Sequence, residues 1–202
     1  MPDLIHILIV EDDADFSFLI KNMIDKDEQM EAVGCAFNRQ DAVEMACRLQ
    51  PDIVLMDLNL SSVHLDGIEA SREIRLLTDA KVIILTAFED PQITIEACKN
   101  SFACAYVFKN QFSILPDTIR KAASGPTPQE YMINSLILSD LSVAERSVFL
   151  MMMGEDVKLR STAKTIYNQK AGLLKKLNLR SEGELRHLFR GVGESKVYNK
   201  GM

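Results

Sequence analysis

The chain has 202 residues, of which 47% are hydrophobic and 26% charged, with a net charge of −6 at pH 7. That balance excludes a disordered chain, a collagen-like repeat and a membrane bundle, and the length allows one or two domains. Residues 1–125 carry 21 acidic against 11 basic side chains and residues 126–202 carry 8 against 12, which predicts two domains with different partners. No apolar run reaches the roughly 18 residues that cross a bilayer. Residues 1–10 lack a basic leader and a small-residue cleavage site, so the expected location is cytoplasmic, with no membrane partner. Cys35, Cys47, Cys98 and Cys104 form no C-x-x-C pair and are expected as reduced core residues.

The first 125 residues alternate two kinds of segment. Leu4–Val10 is a short, continuously apolar run, as a strand buried on both faces requires. Ala14–Asp27 places Phe16, Leu19, Ile20, Met23 and Ile24 at helical spacing. Met30–Ala36 is expected as a strand, and Asn38 as the cap of a helix running to about Leu49. Ile53–Met56 is a buried strand, Gly67–Leu77 a helix and Lys81–Leu85 a strand. Asp90–Pro91 combines a capping carboxylate with a proline at a helix start. Ala105–Phe108 is a fifth strand and Ser113–Ala123 a fifth helix. Five strands alternating with five helices predict a parallel, doubly wound sheet.

Ligands of such sheets bind beyond the carboxyl ends of the strands. The first strand ends in Glu11-Asp12-Asp13, the third in Asp57, the fourth in Thr86-Ala87 and the fifth in Lys109. Two carboxylates about 4 Å apart repel by roughly 4 kcal/mol at an effective dielectric near 20, so the cluster calls for a cation. Oxygen ligands favour a hard divalent ion, Mg²⁺ above all. Asp13 is expected to cap the first helix.

This constellation resembles the receiver domain of bacterial two-component response regulators over about residues 4–123, whose fold is flavodoxin-like. The resemblance implies that Asp57 is the phosphoacceptor. It implies Mg²⁺ held by the carboxylates of Asp12 and Asp57, by the backbone carbonyl of Asn59 and, through water, by Glu11. Thr86 and Lys109 would contact the phosphoryl group, and Thr86 and Tyr106 would form the switch. The chain departs from the family pattern in LNLSSVHLD, between Asp57 and Gly67, which is long and lacks a proline. It also departs at Asn110, where a proline is usual, at Phe102, near a usual helix-ending glycine, and at the bulky Phe88.

Gly125, Pro126 and Pro128 mark residues 124–139 as a linker, with a short helix expected around Tyr131–Leu138. The domains are thus expected as 1–123, 124–139 and 140–202. Ser142 to Glu145 fits a capping box, ahead of a helix to about Met153 that Gly154 ends. Thr162 caps a helix to about Leu177, with Ile166, Leu173, Leu174 and Leu177 inward. Ser181 to Glu184 is a second box, opening a helix with Leu185, Leu188 and Phe189 inward, and the tail after Gly191 is expected to fray.

This all-α segment resembles the LuxR-type helix-turn-helix over about residues 139–190. Leu141, Glu145-Arg146, Val148, Gly154, Thr165-Ile166, Leu174, Lys176-Leu177, Leu179-Arg180-Ser181 and Glu184-Leu185 carry the match. By position, the DNA-contacting residues would be Lys164, Tyr167, Asn168 and Ala171, with Lys170 close by. The segment EDVKLRSTAK between Gly154 and Thr165 is short for the family and has room for little more than one helical turn.

The resemblances imply a regulator that is not an enzyme beyond its own Mg²⁺-dependent phosphorylation and dephosphorylation. Its partners would be a sensor histidine kinase, promoter DNA and, when phosphorylated, a second copy of itself. The alternative is a receiver whose helical output makes protein–protein contacts in place of DNA contacts. His6, His64 and His187 are scattered and receive no role.

Overall fold

The apolar runs form strands β1 (Ile5–Val10), β2 (Met30–Ala36), β3 (Ile53–Met56), β4 (Lys81–Thr86) and β5 (Ala105–Phe108). The computed structural model describes residues 4–60, 65–159 and 161–190. His64 and the tail from Gly191 lie outside them. All strand pairs are parallel, in the order β2-β1-β3-β4-β5. Val10 aligns with Met56, Met56 with Ile84 and Ile84 with Tyr106. The residues that follow these four strands therefore emerge along one rim.

The chain divides into two compact units, Met1–Ile133 and Asn134–Met202. In the first, alternate strand residues point to opposite faces. Leu8, Val10, Val54, Met56, Val82 and Ile84 pack on α2 (Arg39–Leu49), α3 (Asp66–Leu77) and α4 (Pro91–Ser101). Ile7, Ile9, Ile53, Leu55, Ile83 and Leu85 pack on α1 (Ala14–Ile24) and α5 (Leu115–Ser124). Burial on both faces is what fixes the strands in this position, at roughly 1.5–3 kcal/mol for each large aliphatic side chain.

Helix starts follow local chemistry. Asp13 Oδ1 accepts from the N–H groups of Asp15 at 2.9 Å and Phe16 at 3.1 Å. Asn38 caps α2 through the Asp41 N–H, and Asp90 caps α4 through those of Gln92 and Ile93. Among α1 to α5, two boundaries shift from the sequence expectation by two or more residues. Helix α1 stops at Ile24, with Ser17, Ile20 and Ile24 buried and Leu19 exposed. A 3-10 segment, Lys109–Ile114, precedes α5, which starts at Leu115. Phe102, at the end of α4, holds a left-handed backbone (φ 55°) with its side chain buried.

The stretch expected as a linker contains α6 (Pro128–Ile137), with its proline at the first helical position, where no N–H is needed. The division between the two units falls within it, after Ile133.

The second unit holds α7 (Val143–Met152), α8 (Ala163–Lys176) and α9 (Glu182–Leu188). Ser142 and Glu145 form a reciprocal capping box. Gly154 (φ 96°) and Asn178 (φ 54°) end α7 and α8 in Schellman turns. Their closing bonds are Glu155 N–H to Leu150 O at 3.0 Å and Leu179 N–H to Leu174 O at 2.8 Å. The core contains Val148, Phe149, Met152, Leu173, Leu185, Leu188 and Phe189, with the Phe149 and Phe189 rings edge to face at 5.3 Å. Residues 155–159 form no regular element.

Candidate functional site

Strand ends β1, β3 and β5 bring Glu11, Asp12, Asp57 and Lys109 together. One carboxylate oxygen from each of Glu11, Asp12 and Asp57 lies within 4.8 Å of the others. Glu11 and Asp57 are buried, and Asp12 faces solvent. Lys109 Nζ lies 2.7 Å and 2.8 Å from the two oxygens of Glu11 and 2.8 Å from Asp57 Oδ2. Asp57 Oδ1 accepts the Leu58 N–H at 2.7 Å, which orients the carboxylate.

The electrostatics follow from burial. Burial pushes the Glu11 carboxyl up to about 7, with the Lys109 hydrogen bond only partly opposing it and the Asp57 charge adding to it. Burial also works against charge on Lys109, but its hydrogen bonds with Asp57 and Glu11 outweigh this and raise its pKa. One ammonium thus meets two buried carboxylates, and a third, exposed carboxylate lies beside those two. This all-oxygen, acid-rich set fits a hard divalent cation such as Mg²⁺.

Thr86 ends β4 fully buried, and its Oγ1 accepts the Phe88 N–H at 3.3 Å. The Tyr106 hydroxyl donates to Phe88 O at 3.2 Å. Backbone groups of Phe88 thus join the threonine hydroxyl to the tyrosine. Tyr106 is half-buried, and desolvation raises its pKa. Asn59 lies half-buried in the segment after Asp57. The Asn110 side chain donates to Glu89, tying the 3-10 segment after β5 to the loop after β4.

Two residues escape a reading of sequence alone. Gly67 packs against the backbone of Asp57 and Leu58, a demand created by tertiary contact. Phe16, one of the five residues expected at helical spacing on α1, places its ring 4.6 Å from Lys109 Nζ. An aromatic residue soon after an acidic strand end would be the available signal, and it is a weak one.

In the second unit, Lys164, Tyr167, Asn168 and Ala171 all lie exposed on α8, Tyr167 at 72%. Lys170 differs. It pairs with Glu182 at 3.1 Å, and Glu182 also receives Arg186 at 2.8 Å. Lys176 pairs with Glu145 at 2.7 Å. These two lysines bind their own unit, whereas Lys164 has no ion pair among the described residues.

The chain belongs to the response regulator receiver domain family, whose model matches residues 7–120. It is 30% identical over 140 residues to the transcriptional regulatory protein LiaR of Bacillus subtilis, covering 68% of this chain and 65% of that protein. The chain thus spans a little under two thirds of that relative. Among solved structures it resembles a LuxR-family two-component response regulator from Aurantimonas, at 25% identity and a TM-score of 0.57, covering 68% of this chain and 98% of that one. It also shares its fold with the RcsB response regulator of Salmonella typhimurium, at 21% identity and a TM-score of 0.55, over 92% of this chain and 97% of that one. Among the described residues, no helix is long and apolar enough to cross a membrane.

Proposed function

We propose that this chain is the phosphorylation-switched regulator of a two-component system, with Asp57 as the phosphoacceptor and DNA as the target of its second unit. The observation that carries the reading is the ammonium of Lys109 held between buried Glu11 and Asp57, beside exposed Asp12. A sensor histidine kinase would donate from a phosphohistidine. An Asp57 carboxylate oxygen attacks phosphorus and forms the P–O bond. The P–N bond breaks, and the imidazole leaves with the electron pair and keeps a proton. In hydrolysis, water attacks phosphorus and Asp57 leaves as the carboxylate. The chain catalyses nothing beyond these steps on itself.

Catalysis of this kind is positioning and charge neutralisation. A divalent cation bound by Asp12, Asp57, the Asn59 carbonyl and, through water, Glu11 would supply positive charge to the transferred phosphoryl oxygens. Lys109 supplies a second positive charge, moving from Asp57 Oδ2 toward a phosphoryl oxygen. Thr86 turns its hydroxyl to the new oxygens and gives up the Phe88 N–H. That frees the Phe88 backbone and removes one of the two holds on the Tyr106 hydroxyl, the other being Thr94, so the face around β5 changes. A change there would favour pairing of two copies, and α8 would enter the major groove with Lys164, Tyr167, Asn168, Lys170 and Ala171 toward DNA.

The irregular segment 155–159 favours a second reading, in which α8 is poorly braced and the output is a protein contact. Mass spectrometry after acetyl phosphate treatment tests the first step. The expected result is one phosphate on wild type and none on Asp57→Ala. An adduct that persists in Asp57→Ala overturns the assignment. Salt-sensitive DNA binding by the phosphorylated protein decides between the two outputs.

A further inference from the structure

Phe16 is partly buried against the α1/α5 side of the core, and its ring also meets a charged group. Its ring centroid lies 4.6 Å from Lys109 Nζ, within the range of a cation–π contact. The same ring stands edge to face with Phe112 at 5.7 Å, and Phe112 lies one turn beyond Lys109 in the Lys109–Ile114 segment. Nζ also meets Glu11 and Asp57, at 2.7 Å and 2.8 Å. Two carboxylates and one ring therefore surround the ammonium.

The acidic loop itself fixes the ring. Asp13 Oδ1 accepts the Phe16 N–H at 3.1 Å, and the Asp13 N–H donates to Glu11 Oε1 at 3.3 Å. Glu11 thus holds Lys109 directly, and through the Asp13 cap it also sets the start of the helix that carries Phe16. Ring and ammonium are positioned by one continuous stretch of six residues, 11–16.

We propose that Phe16 is a positioning residue for phosphoryl transfer: its ring face holds the Lys109 ammonium over Asp57 and shields it from water. The proposal rests on Asp57 being the phosphoacceptor. When the phosphoryl group arrives, Lys109 must leave the Asp57 oxygen without escaping to solvent. A ring face attracts the ammonium but offers it no competing hydrogen-bond acceptor. An aliphatic side chain at this position would fill the space without attracting the charge, and water or Glu11 alone would then set where Nζ goes.

Phe16→Leu and Phe16→Met keep apolar bulk and remove the ring, whereas Phe16→Tyr and Phe16→Trp keep an aromatic face. In the full chain, three quantities are compared: the rate of Asp57 phosphorylation by acetyl phosphate, the affinity for beryllofluoride, and the proton shifts of the Lys109 ε-methylene. The wild-type ε-methylene signals should be displaced upfield by the ring current and return to ordinary values in the Leu and Met variants. Rate and affinity should fall about fivefold in those two and recover to within about twofold of wild type in Tyr and Trp.

Unshifted ε-methylene signals in the wild type overturn the proposal. So does a folded Leu or Met variant that takes up phosphate at the wild-type rate. Equal losses in the aliphatic and aromatic variants overturn it as well, because they reduce Phe16 to packing. A wild type that forms no adduct at Asp57 overturns the phosphoacceptor reading, and this proposal with it; an adduct formed equally fast without the ring overturns the proposal alone.

Discussion

A β-carbon on Gly67 would lie 2.0 Å from the carbonyl oxygen of Asp57 and 2.8 Å from the Leu58 Cα. The Gly67 N–H donates to Leu58 O at 3.1 Å, so the first turn of α3 is hydrogen-bonded directly beneath the candidate phosphoacceptor. No side chain can be accommodated unless the helix or the Asp57 segment moves. Gly67→Ala is expected to destabilise the first unit by about 1–3 kcal/mol, the range for forcing atoms into a packed interior. Thermal melts of the full chain should show a drop of several degrees, with slower phosphate uptake at Asp57. An unchanged melt would mean that α3 can withdraw without cost.

Gly67 also shows where the sequence stops being informative. Its requirement arises from a backbone 10 positions away in numbering, at Asp57, and no local pattern encodes it. The strands were legible because each is a short apolar run between polar or turn residues, and β2, β3 and β5 match expectation at both ends. Helix α1 was less so. Leu19 and Ile20 are adjacent and both apolar, and only packing on the sheet decides that Ile20 is buried and Leu19 is not. In the second unit, Ser142 and Glu145 form the box that their spacing predicts. Ser181 Oγ likewise accepts the Glu184 N–H at 3.1 Å, but the Glu184 carboxylate accepts the Arg180 N–H at 2.7 Å in place of that of Ser181. The gathering of Glu11, Asp12, Asp57 and Lys109 followed from their places at the carboxyl ends of the strands of a parallel sheet. The ring of Phe16 meets Lys109 only through tertiary packing, which no local pattern encodes.

Three clustered carboxylates with one lysine leave an excess of negative charge, and Glu11 already resists ionisation. Magnesium should therefore stabilise the first unit. A ligand at 100 times its dissociation constant adds about 2.7 kcal/mol. Melts in Mg²⁺ and in EDTA should differ for the wild type, and Asp12→Asn, which alters an exposed ligand, should lose most of that difference. Superimposable wild-type melts in the two buffers would contradict a divalent site.

The second unit has its own pH sensitivity. The Glu145 carboxyl is held down to about 2, chiefly by the Lys176 hydrogen bond and then by those from Ser142. A carboxylate whose folded pKa is depressed stabilises the fold above its unfolded pKa and loses that contribution as pH falls through the folded value. The window therefore runs from about 4.5 down to about 2. The Lys176–Glu145 pair is partly open to solvent, so its contribution is up to about 1 kcal/mol. Glu145→Gln should be less stable than wild type at neutral pH, and the gap should close across that window. Denaturant titrations of both proteins at several pH values measure it; a gap constant with pH would mean that the charge on Glu145 contributes nothing to stability.

Lys164 and Lys170 lie on the same helix, and their different partners predict different effects on DNA binding. Lys164 is exposed and has no ion pair among the described residues, so it can meet a phosphate without first breaking a contact. Lys170 must leave Glu182, which lies 3.1 Å away and also holds Arg186. Lys164→Ala should weaken binding on all sequences and flatten the salt dependence by about one unit. Lys170→Ala should change the salt slope less and should also lower stability, because Glu182 loses a partner on α8. Asn168→Ala should relax sequence preference, since an amide can pair with an adenine edge. Fluorescence-anisotropy titrations of the phosphorylated protein over a random-sequence pool, at low and moderate salt, separate these outcomes. Equal slopes for Lys164→Ala and wild type, with no enriched sequence, would remove α8 from DNA and leave a protein partner as the output.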